Sequence, residues 1–165
     1  INGILEMGGE IKIGKKINKI SLNKNNVSIN EEEFFYEKVL ISCGSWSNKL
    51  ISNSFGLNFP VRPLKGMSLI IKSLNEIPKH NLWFRNIYIA PRDRKYIAVG
   101  ATEEEKGFDS AIKIDELHFL TNSIWESFPK PEELELNEIK VGLRPTVIDG
   151  NPIIGPAWDL PICAT

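Results

Sequence analysis

One stretch of the chain repeats its apolar residues at helical spacing over several turns, and it lies late in the sequence. Apolar residues recur three or four positions apart within residues 114–128, and Pro129 ends the run. Most other apolar segments alternate with polar residues at a period of two, which is typical of strands with one buried face. The pattern predicts an α+β fold, with a mixed, largely antiparallel sheet flanked by helices.

The strand-like segments differ in their expected burial. Residues 10–29 alternate and predict a small antiparallel meander. Residues 39–43 are a continuous run that is typical of a strand buried on both faces, and a helix is predicted directly after Gly44. The remaining predicted strands are 66–72, 87–90, 96–102 and 139–143.

Charge and hydropathy argue against two classes of protein. The 165 residues have a net charge of −1, so the basic excess of a nucleic-acid-binding protein is absent. No segment approaches the run of about 18 apolar residues that a membrane span needs.

The start of the sequence lacks the pattern of a signal peptide, so we expect a cytoplasmic protein. Since the sequence begins with Ile1 rather than Met, we also expect it to be a piece of a longer chain.

Self-sufficient catalytic motifs are missing from these residues. The only histidines, His80 and His118, have no partner at metal-ligand spacing, so a zinc site is not expected. The sequence contains no GxSxG, HExxH, P-loop or GxGxxG motif.

Two side chains have the chemistry to bind a small carboxylate. Arg144 follows a predicted strand and precedes Pro145, and a guanidinium on a rigid backbone suits bidentate binding. Tyr88, on another predicted strand, offers a hydroxyl. The alternatives are a structural ion pair for Arg144 and a core position for Tyr88. Separately, a buried strand that runs through Gly44 into a helix is a known way to present backbone N–H groups to an anion.

Six motifs in order resemble the glycine oxidase branch of the D-amino-acid oxidase family of flavoproteins, in particular the branch that serves thiamine biosynthesis. The motifs are VLISCGSWS (39–47), PVRPLKG (60–66), YIAPR (88–92), VGAT (99–102), GFD (107–109) and GLRP with DGNPIIG (142–145, 149–155). The resemblance is colinear over essentially the whole chain. It implies an FAD-dependent oxidoreductase that converts a small amino acid to the imine, with hydrogen peroxide formed from molecular oxygen.

The resemblance also implies roles for individual residues. Arg144 would bind the substrate carboxylate, Tyr88 would hydrogen-bond to it, and Glu103 falls where some relatives have an apolar pocket residue. The residues implied along the FAD are Ile17, Gly44, Ser45 and Trp46. No side chain is expected to act as a catalytic base, because the cofactor takes a hydride from Cα of the neutral amine.

The family's N-terminal GxGxxG segment is absent from the 165 residues. The resemblance therefore implies that 1–56 belong to the FAD-binding domain, 57–140 to the substrate domain and 141–165 to a return segment into the FAD domain. We expect FAD in the full-length parent, and weak or no FAD binding and no oxidase activity in these residues alone.

Three alternatives remain open from the sequence. In the first alternative, the parent enzyme is a D-amino-acid dehydrogenase that uses a quinone. In the second, it is a sarcosine-oxidase-like enzyme that acts on N-methyl amino acids. The third alternative, from another class, is a non-catalytic binding module or a module that depends on a partner chain. A homo-oligomer is compatible with each of these alternatives, and neither a nucleic-acid nor a membrane partner is expected.

Overall fold

The computed structural model describes residues 2–22, 26–35, 38–73, 77–157 and 162–164. Their contacts divide the chain into two units. One unit lies within Ile1–Ser42, Ser47–Phe59 and Ile153–Thr165, and the other lies within Cys43–Trp46 and Pro60–Pro152.

Connections of different lengths join the helices and strands, and they include 3₁₀ turns at Gly44–Trp46 and Pro131–Glu133. In chain order the elements are α1 (Asn2–Glu6), β1 (Ile20–Leu22), β2 (Asn26–Ile29), β3 (Glu32–Phe35), β4 (Val39–Ile41), α2 (Ser47–Phe55), β5 (Arg62–Lys72), β6 (Leu82–Trp83), β7 (Tyr88–Pro91), β8 (Tyr96–Gly100), α3 (Ile114–Ser127), β9 (Glu135–Thr146), β10 (Gly155–Ala157) and β11 (Ile162–Ala164).

The first unit contains two three-stranded sheets. Strands β1, β2 and β3 form an antiparallel meander that buries Ile20 and Val27 on one face. The backbone N–H of Ile20 donates to Oγ of Ser54 at 2.9 Å, which attaches α2 to the meander. In the second sheet, β11 runs parallel to β4 and antiparallel to β10.

The prediction that residues 39–43 are buried on both faces is wrong for the described residues. Strand β4 covers Val39–Ile41, and although Ile41 is buried, Leu40 is 59% exposed. The continuous apolar run correctly predicts that this segment is a strand. It does not show a second covering layer, because no described residue packs over Leu40 well enough to bury it.

The second unit is built on one five-stranded antiparallel sheet in the order β6-β7-β8-β5-β9. Helix α3 packs against one face of this sheet, because its apolar residues recur at helical spacing on one side. The buried residues of this core are Met67, Leu69, Ile71, Ile87, Ile89, Ile97, Val99, Leu120 and Ile124.

Alternation along β5 divides the sheet into two faces. Met67, Leu69 and Ile71 point toward the α3 core, so Gly66 and Ser68 lie on the opposite face. The strand register extends this second face across the sheet, where paired residues share a side. One row across four strands consists of Tyr88, Gly100, Ser68 and Lys140.

The α+β fold class is confirmed, with one long helix among largely antiparallel strands. The helix predicted for 114–128 is found at Ile114–Ser127. The strands predicted for 66–72 and 139–143 are longer, because β5 and β9 pair along nearly their whole lengths. Residues 10–13 form no strand, because they have no partner in a described ladder. No described helix combines the length and apolar character needed to cross a membrane.

Candidate functional site

A cavity of about 320 Å³ opens on the sheet face opposite α3 in the second unit. Strand register explains its position, because residues from β5, β7 and β9 that share this face surround it. Its lining includes Gly66, Ser68, Tyr88, Lys140, Gly142 and Arg144. Both residues that the sequence selected for binding a carboxylate therefore reach one cavity.

Arg144 enters the cavity from β9, the edge strand of the sheet. It pairs with Leu64 on β5, one step beyond the pair of Gly66 and Gly142 on the same face. Its guanidinium turns back over Gly66, so that a Cβ at Gly66 would lie only 2.5 Å from Nη2 of Arg144. Any larger residue at position 66 would occupy the space of the guanidinium.

Two bonds to the neighbouring segment orient the Arg144 guanidinium. Its Nη1 donates to Oε1 of Glu103 at 3.1 Å, and its Nη2 donates to the carbonyl oxygen of Thr102 at 2.8 Å. A guanidinium has five N–H donors, so these bonds to described residues leave donors for a ligand. The side chain is 45% exposed, and a carboxylate can reach it from the cavity.

Tyr88 reaches the same cavity from β7, on the other side of β5. It pairs with Gly100 on β8, where a Cβ would lie 3.0 Å from the Tyr88 hydroxyl oxygen. The phenol therefore extends across Gly100 toward β5. The ring of Trp83 packs against Tyr88 with centroids 5.4 Å apart. Tyr88 and Arg144 thus approach from opposite sides, each across a glycine.

Glu103 lies beside the cavity and contacts Arg144, but it is outside the cavity lining. Its side chain is 64% exposed, so its carboxylate is largely hydrated. In this geometry Glu103 is a partner of the guanidinium. It also competes with any ligand carboxylate for the same Nη1 group.

The segment that holds Thr102 and Glu103 is fixed to β5. The backbone N–H of Met67 donates to Oγ1 of Thr102 at 2.9 Å. Lys65 and Glu104 exchange two backbone hydrogen bonds, each of 3.0 Å. The orientation of Arg144 therefore depends on the attachment of residues 102–104 to the sheet.

A buried ion pair at Lys65 connects the same part of β5 to α3. Lys65 is fully buried, and its Nζ donates to both carboxylate oxygens of Glu116 at 2.6 and 2.8 Å and to the carbonyl oxygen of Ala111 at 2.5 Å. These bonds link β5 to the start of α3. Because both charges are buried, each depends on the other for stabilisation.

The environment shifts the pKa of each group in this cluster. Burial opposes the charged forms of Lys65 and Glu116, but their mutual hydrogen bonds and charges outweigh it. The pKa of Lys65 is therefore raised and that of Glu116 lowered. Burial raises the pKa of Glu104, and its hydrogen bond to Glu116 and the charge of Glu116 raise it further.

Gly44 and Ser45 follow β4, as the sequence predicted. Gly44 has a φ of 55°, a left-handed conformation that favours glycine, and a Cβ there would meet nothing within 4 Å. The backbone at Gly44 is therefore open to a ligand. The Ser45 side chain is buried, and its Oγ donates to the carbonyl oxygen of Leu143 at 2.9 Å, so this hydroxyl ties the turn to β9.

The two apolar residues in the implied cofactor set are both accessible. Trp46 is 51% exposed and packs against Phe108 with ring centroids 5.6 Å apart. Ile17 belongs to the first unit and is 42% exposed in the segment between α1 and β1. Within the second unit, the open backbone at Gly44 and the exposed ring of Trp46 fit contact with a flavin dinucleotide. Within the described ranges, no cluster of three or more His, Cys, Asp or Glu side chains is arranged to hold a metal ion.

Sequence reasoning selected Tyr88 and Arg144 but not the other residues of the cavity lining, among them Gly66, Ser68 and Lys140. None of them stands out by residue type, because glycine, serine and lysine are among the commonest residues of soluble proteins. The signal that identifies them is the pairing of β5 with β9, which places Gly66 opposite Gly142 and Ser68 opposite Lys140.

Known proteins are similar to the chain in both sequence and fold. Glycine oxidase of Pseudomonas putida is 33% identical over 120 residues, which are 73% of this chain and 33% of that protein. Hydrogen cyanide synthase subunit HcnC of Pseudomonas protegens is 28% identical over 156 residues, covering 94% of this chain and 34% of that protein. The chain thus spans about a third of the length of these curated relatives.

A solved structure of glycine oxidase from Bacillus cereus superposes with a TM-score of 0.86 over 99% of this chain and 46% of that one, at 24% identity. That likeness shows the fold. The sequence model of the DAO family, described as FAD dependent oxidoreductase, matches residues 1–163. The chain therefore belongs to the DAO family of FAD-dependent oxidoreductases.

Proposed function

We propose that these residues form the substrate-binding part of an enzyme that oxidises a small amino acid to the imine with FAD. The main support is that Arg144 and Tyr88 line one cavity from opposite sides of β5. Because the chain covers about a third of its relatives, the proposal concerns the protein that contains these residues together with a dinucleotide-binding segment.

In this proposal, the protein's task is to position the substrate. Arg144 binds the substrate carboxylate with the N–H donors that Glu103 and Thr102 leave available. The hydroxyl of Tyr88 donates a hydrogen bond to the same carboxylate. Fixing the carboxylate at two points restricts where Cα lies. When bound, FAD supplies the acceptor for the hydride that leaves Cα.

The residues proposed to contact FAD are Ile17, Gly44, Ser45 and Trp46. Gly44 supports this assignment best, because its open, left-handed backbone allows close approach. The division into FAD-binding segments at 1–56 and 141–165 and a substrate domain at 57–140 belongs to the same proposal.

Glycine is the first substrate to test, followed by sarcosine and D-alanine. With oxygen as acceptor, the amino acid loses two electrons and two protons, and oxygen gains them as hydrogen peroxide. Water then hydrolyses the imine to the oxo acid and ammonium, or to methylammonium when sarcosine is the substrate. A role in thiamine biosynthesis is part of the proposal, and a quinone acceptor with the same substrates is its alternative.

The test uses the FAD-loaded protein that contains these residues. It is assayed with each amino acid for peroxide in air and for quinone reduction without oxygen. Arg144→Met should lower kcat/KM about 30-fold or more, since a charge-assisted bidentate pair contributes roughly 2–4 kcal/mol. Arg62→Met is the matched control, because Arg62 pairs with Glu105 and is outside the cavity lining.

Either of two outcomes would contradict the proposal. One is an FAD-loaded protein that oxidises none of these amino acids with either acceptor, which favours a binding module. The other is an Arg144→Met variant with the kcat/KM of the parent protein.

A further inference from the structure

The cavity contains a second cation that the proposed function does not use. Lys140 lines the cavity and pairs with Ser68 on β5, in the row that continues to Gly100 and Tyr88. This row crosses the cavity floor from the Tyr88 side to the edge strand. Lys140 therefore lies at the β9 end of the row that Tyr88 begins.

Arg144 and Lys140 project from β9 on the same face of the sheet and both line the cavity, although their backbones are far apart. Arg144 is four residues beyond Lys140 on β9, roughly 13 Å at about 3.3 Å per residue. Its guanidinium, however, turns back over Gly66, which is two residues from Ser68, the partner of Lys140. The turn brings the guanidinium of Arg144 closer to the backbone level of Lys140, whose Nζ extends toward Glu138.

The floor between the two cations is made of small residues. Gly66 pairs with Gly142, and Ser68 is the next residue on this face of β5. The Arg144 guanidinium lies over Gly66, whereas a Cβ at Gly142 would meet nothing within 4 Å. A ligand longer than glycine can therefore lie between the Arg144 end and the Lys140 end of the cavity.

The partner of Lys140 does not hold it strongly. Its Nζ is 3.4 Å from Oε2 of Glu138, and the two side chains are 49% and 52% exposed. Exposed ion pairs of this kind contribute little to stability. A ligand carboxylate can replace Glu138 at small cost.

From these positions we infer that the site prefers small amino acids that carry a second carboxylate. Arg144 and Tyr88 bind the α-carboxylate, and Lys140 binds the second one. The inference rests on the proposed function for the assignment of the α-carboxylate, and it adds Lys140 as the residue that determines specificity.

The test compares ligands that differ in one charge but hardly in size. With the FAD-loaded protein, kcat/KM is measured for aspartate and asparagine, each as both enantiomers. Binding of succinate and of its monoamide succinamate is measured by titration calorimetry. We expect the dianionic member of each pair to be favoured about fivefold, the range of an exposed charge pair.

Three variants attribute the preference to Lys140. Lys140→Met should abolish it, and Lys140→Arg should retain it. Glu138→Gln should increase it, because the competing carboxylate is gone. Lys130→Met is the control for loss of a distant positive charge, since Lys130 pairs with Glu133 outside this cavity and should leave the preference unchanged.

The outcomes separate this inference from the proposed function. If the protein oxidises glycine but succinate and succinamate bind equally in both the parent and Lys140→Met, the inference is wrong and the function stands. If no amino acid is oxidised while succinate binds more tightly in a Lys140-dependent way, the anion site is supported and the oxidation is contradicted.

Discussion

Gly66 and the guanidinium of Arg144 lie in direct contact on the cavity floor, where a Cβ at Gly66 would come within 2.5 Å of Nη2. The two residues belong to neighbouring strands but are not paired with each other, since Gly66 pairs with Gly142 and Arg144 with Leu64. The contact exists because the arginine side chain turns back along the strand. A glycine on β5 is therefore required for the position of a charged group on β9.

Gly66→Ala should move the guanidinium without unfolding the protein. The atom displaced is the end of a flexible side chain and Gly66 has no positive φ, so we expect the free energy of unfolding to change by less than about 1 kcal/mol. Acetate binding to the FAD-loaded protein should weaken about tenfold. In an Arg144→Met background the same substitution should have no further effect, and equal weakening in both backgrounds would show that Gly66 acts independently of Arg144.

Removing the charge of Glu103 should strengthen carboxylate binding. Glu103→Gln takes a competing carboxylate away from Nη1 of Arg144, and because both side chains are exposed the gain should be about two- to fivefold at low salt. Glu105→Gln is the matched control, since Glu105 lies two residues away but pairs with Arg62. An equal gain in the two variants would indicate long-range electrostatics rather than competition at Arg144.

Breaking the buried ion pair should destabilise the second unit strongly. Lys65→Met leaves the Glu116 carboxylate buried without its cation, which costs about 3–5 kcal/mol. The double variant Lys65→Met/Glu116→Leu should recover most of this loss in a chemical denaturation experiment. Lys72→Met, which breaks an exposed pair with Glu135, should cost under about 1 kcal/mol. A double variant as unstable as Lys65→Met would contradict this account.

Glu104 should make stability depend on pH in a defined direction. Its folded pKa is raised above the ordinary value of 4.5, so the folded state holds this proton more tightly than the unfolded state. The stability from that proton is present below the unfolded pKa and is lost as pH rises through the folded pKa.

Glu104→Gln keeps the neutral, hydrogen-bonding form at every pH. The free energy of unfolding of the variant minus that of the parent should therefore increase from pH 4 to pH 8. Glu116 titrates with the opposite sign, but it is present in both proteins. A difference that stays constant over this range would show that Glu104 is not shifted.

The predictable parts of the fold are those in which side-chain pattern and burial coincide. Helix α3 has an apolar stripe against the sheet, and its bounds followed from that spacing and from Pro129. Strand β9 was predicted too short, because its first residues are exposed and mostly polar and the strand is defined by pairing with β5. Backbone pairing of this kind leaves no clear pattern in side-chain type.

The residues of the cavity were predictable only in part, because side-chain chemistry identifies some of them and strand pairing places the others. Arg144 and Tyr88 were selected by their chemistry, and the cavity contains both. The contact of Arg144 with Gly66 and the place of Lys140 depend on strand register and on a side chain that turns back, and local sequence specifies neither. Glu103 was expected near the substrate, and its observed partner is Arg144.

The most direct test of the account is the dissociation constant of acetate from the FAD-loaded protein that contains these residues. It is measured by titration for the parent and for Arg144→Met. If Arg144 binds the carboxylate, Arg144→Met should bind acetate at least about tenfold more weakly. Equal dissociation constants in the two proteins would contradict the central claim that this cavity holds a substrate carboxylate through Arg144.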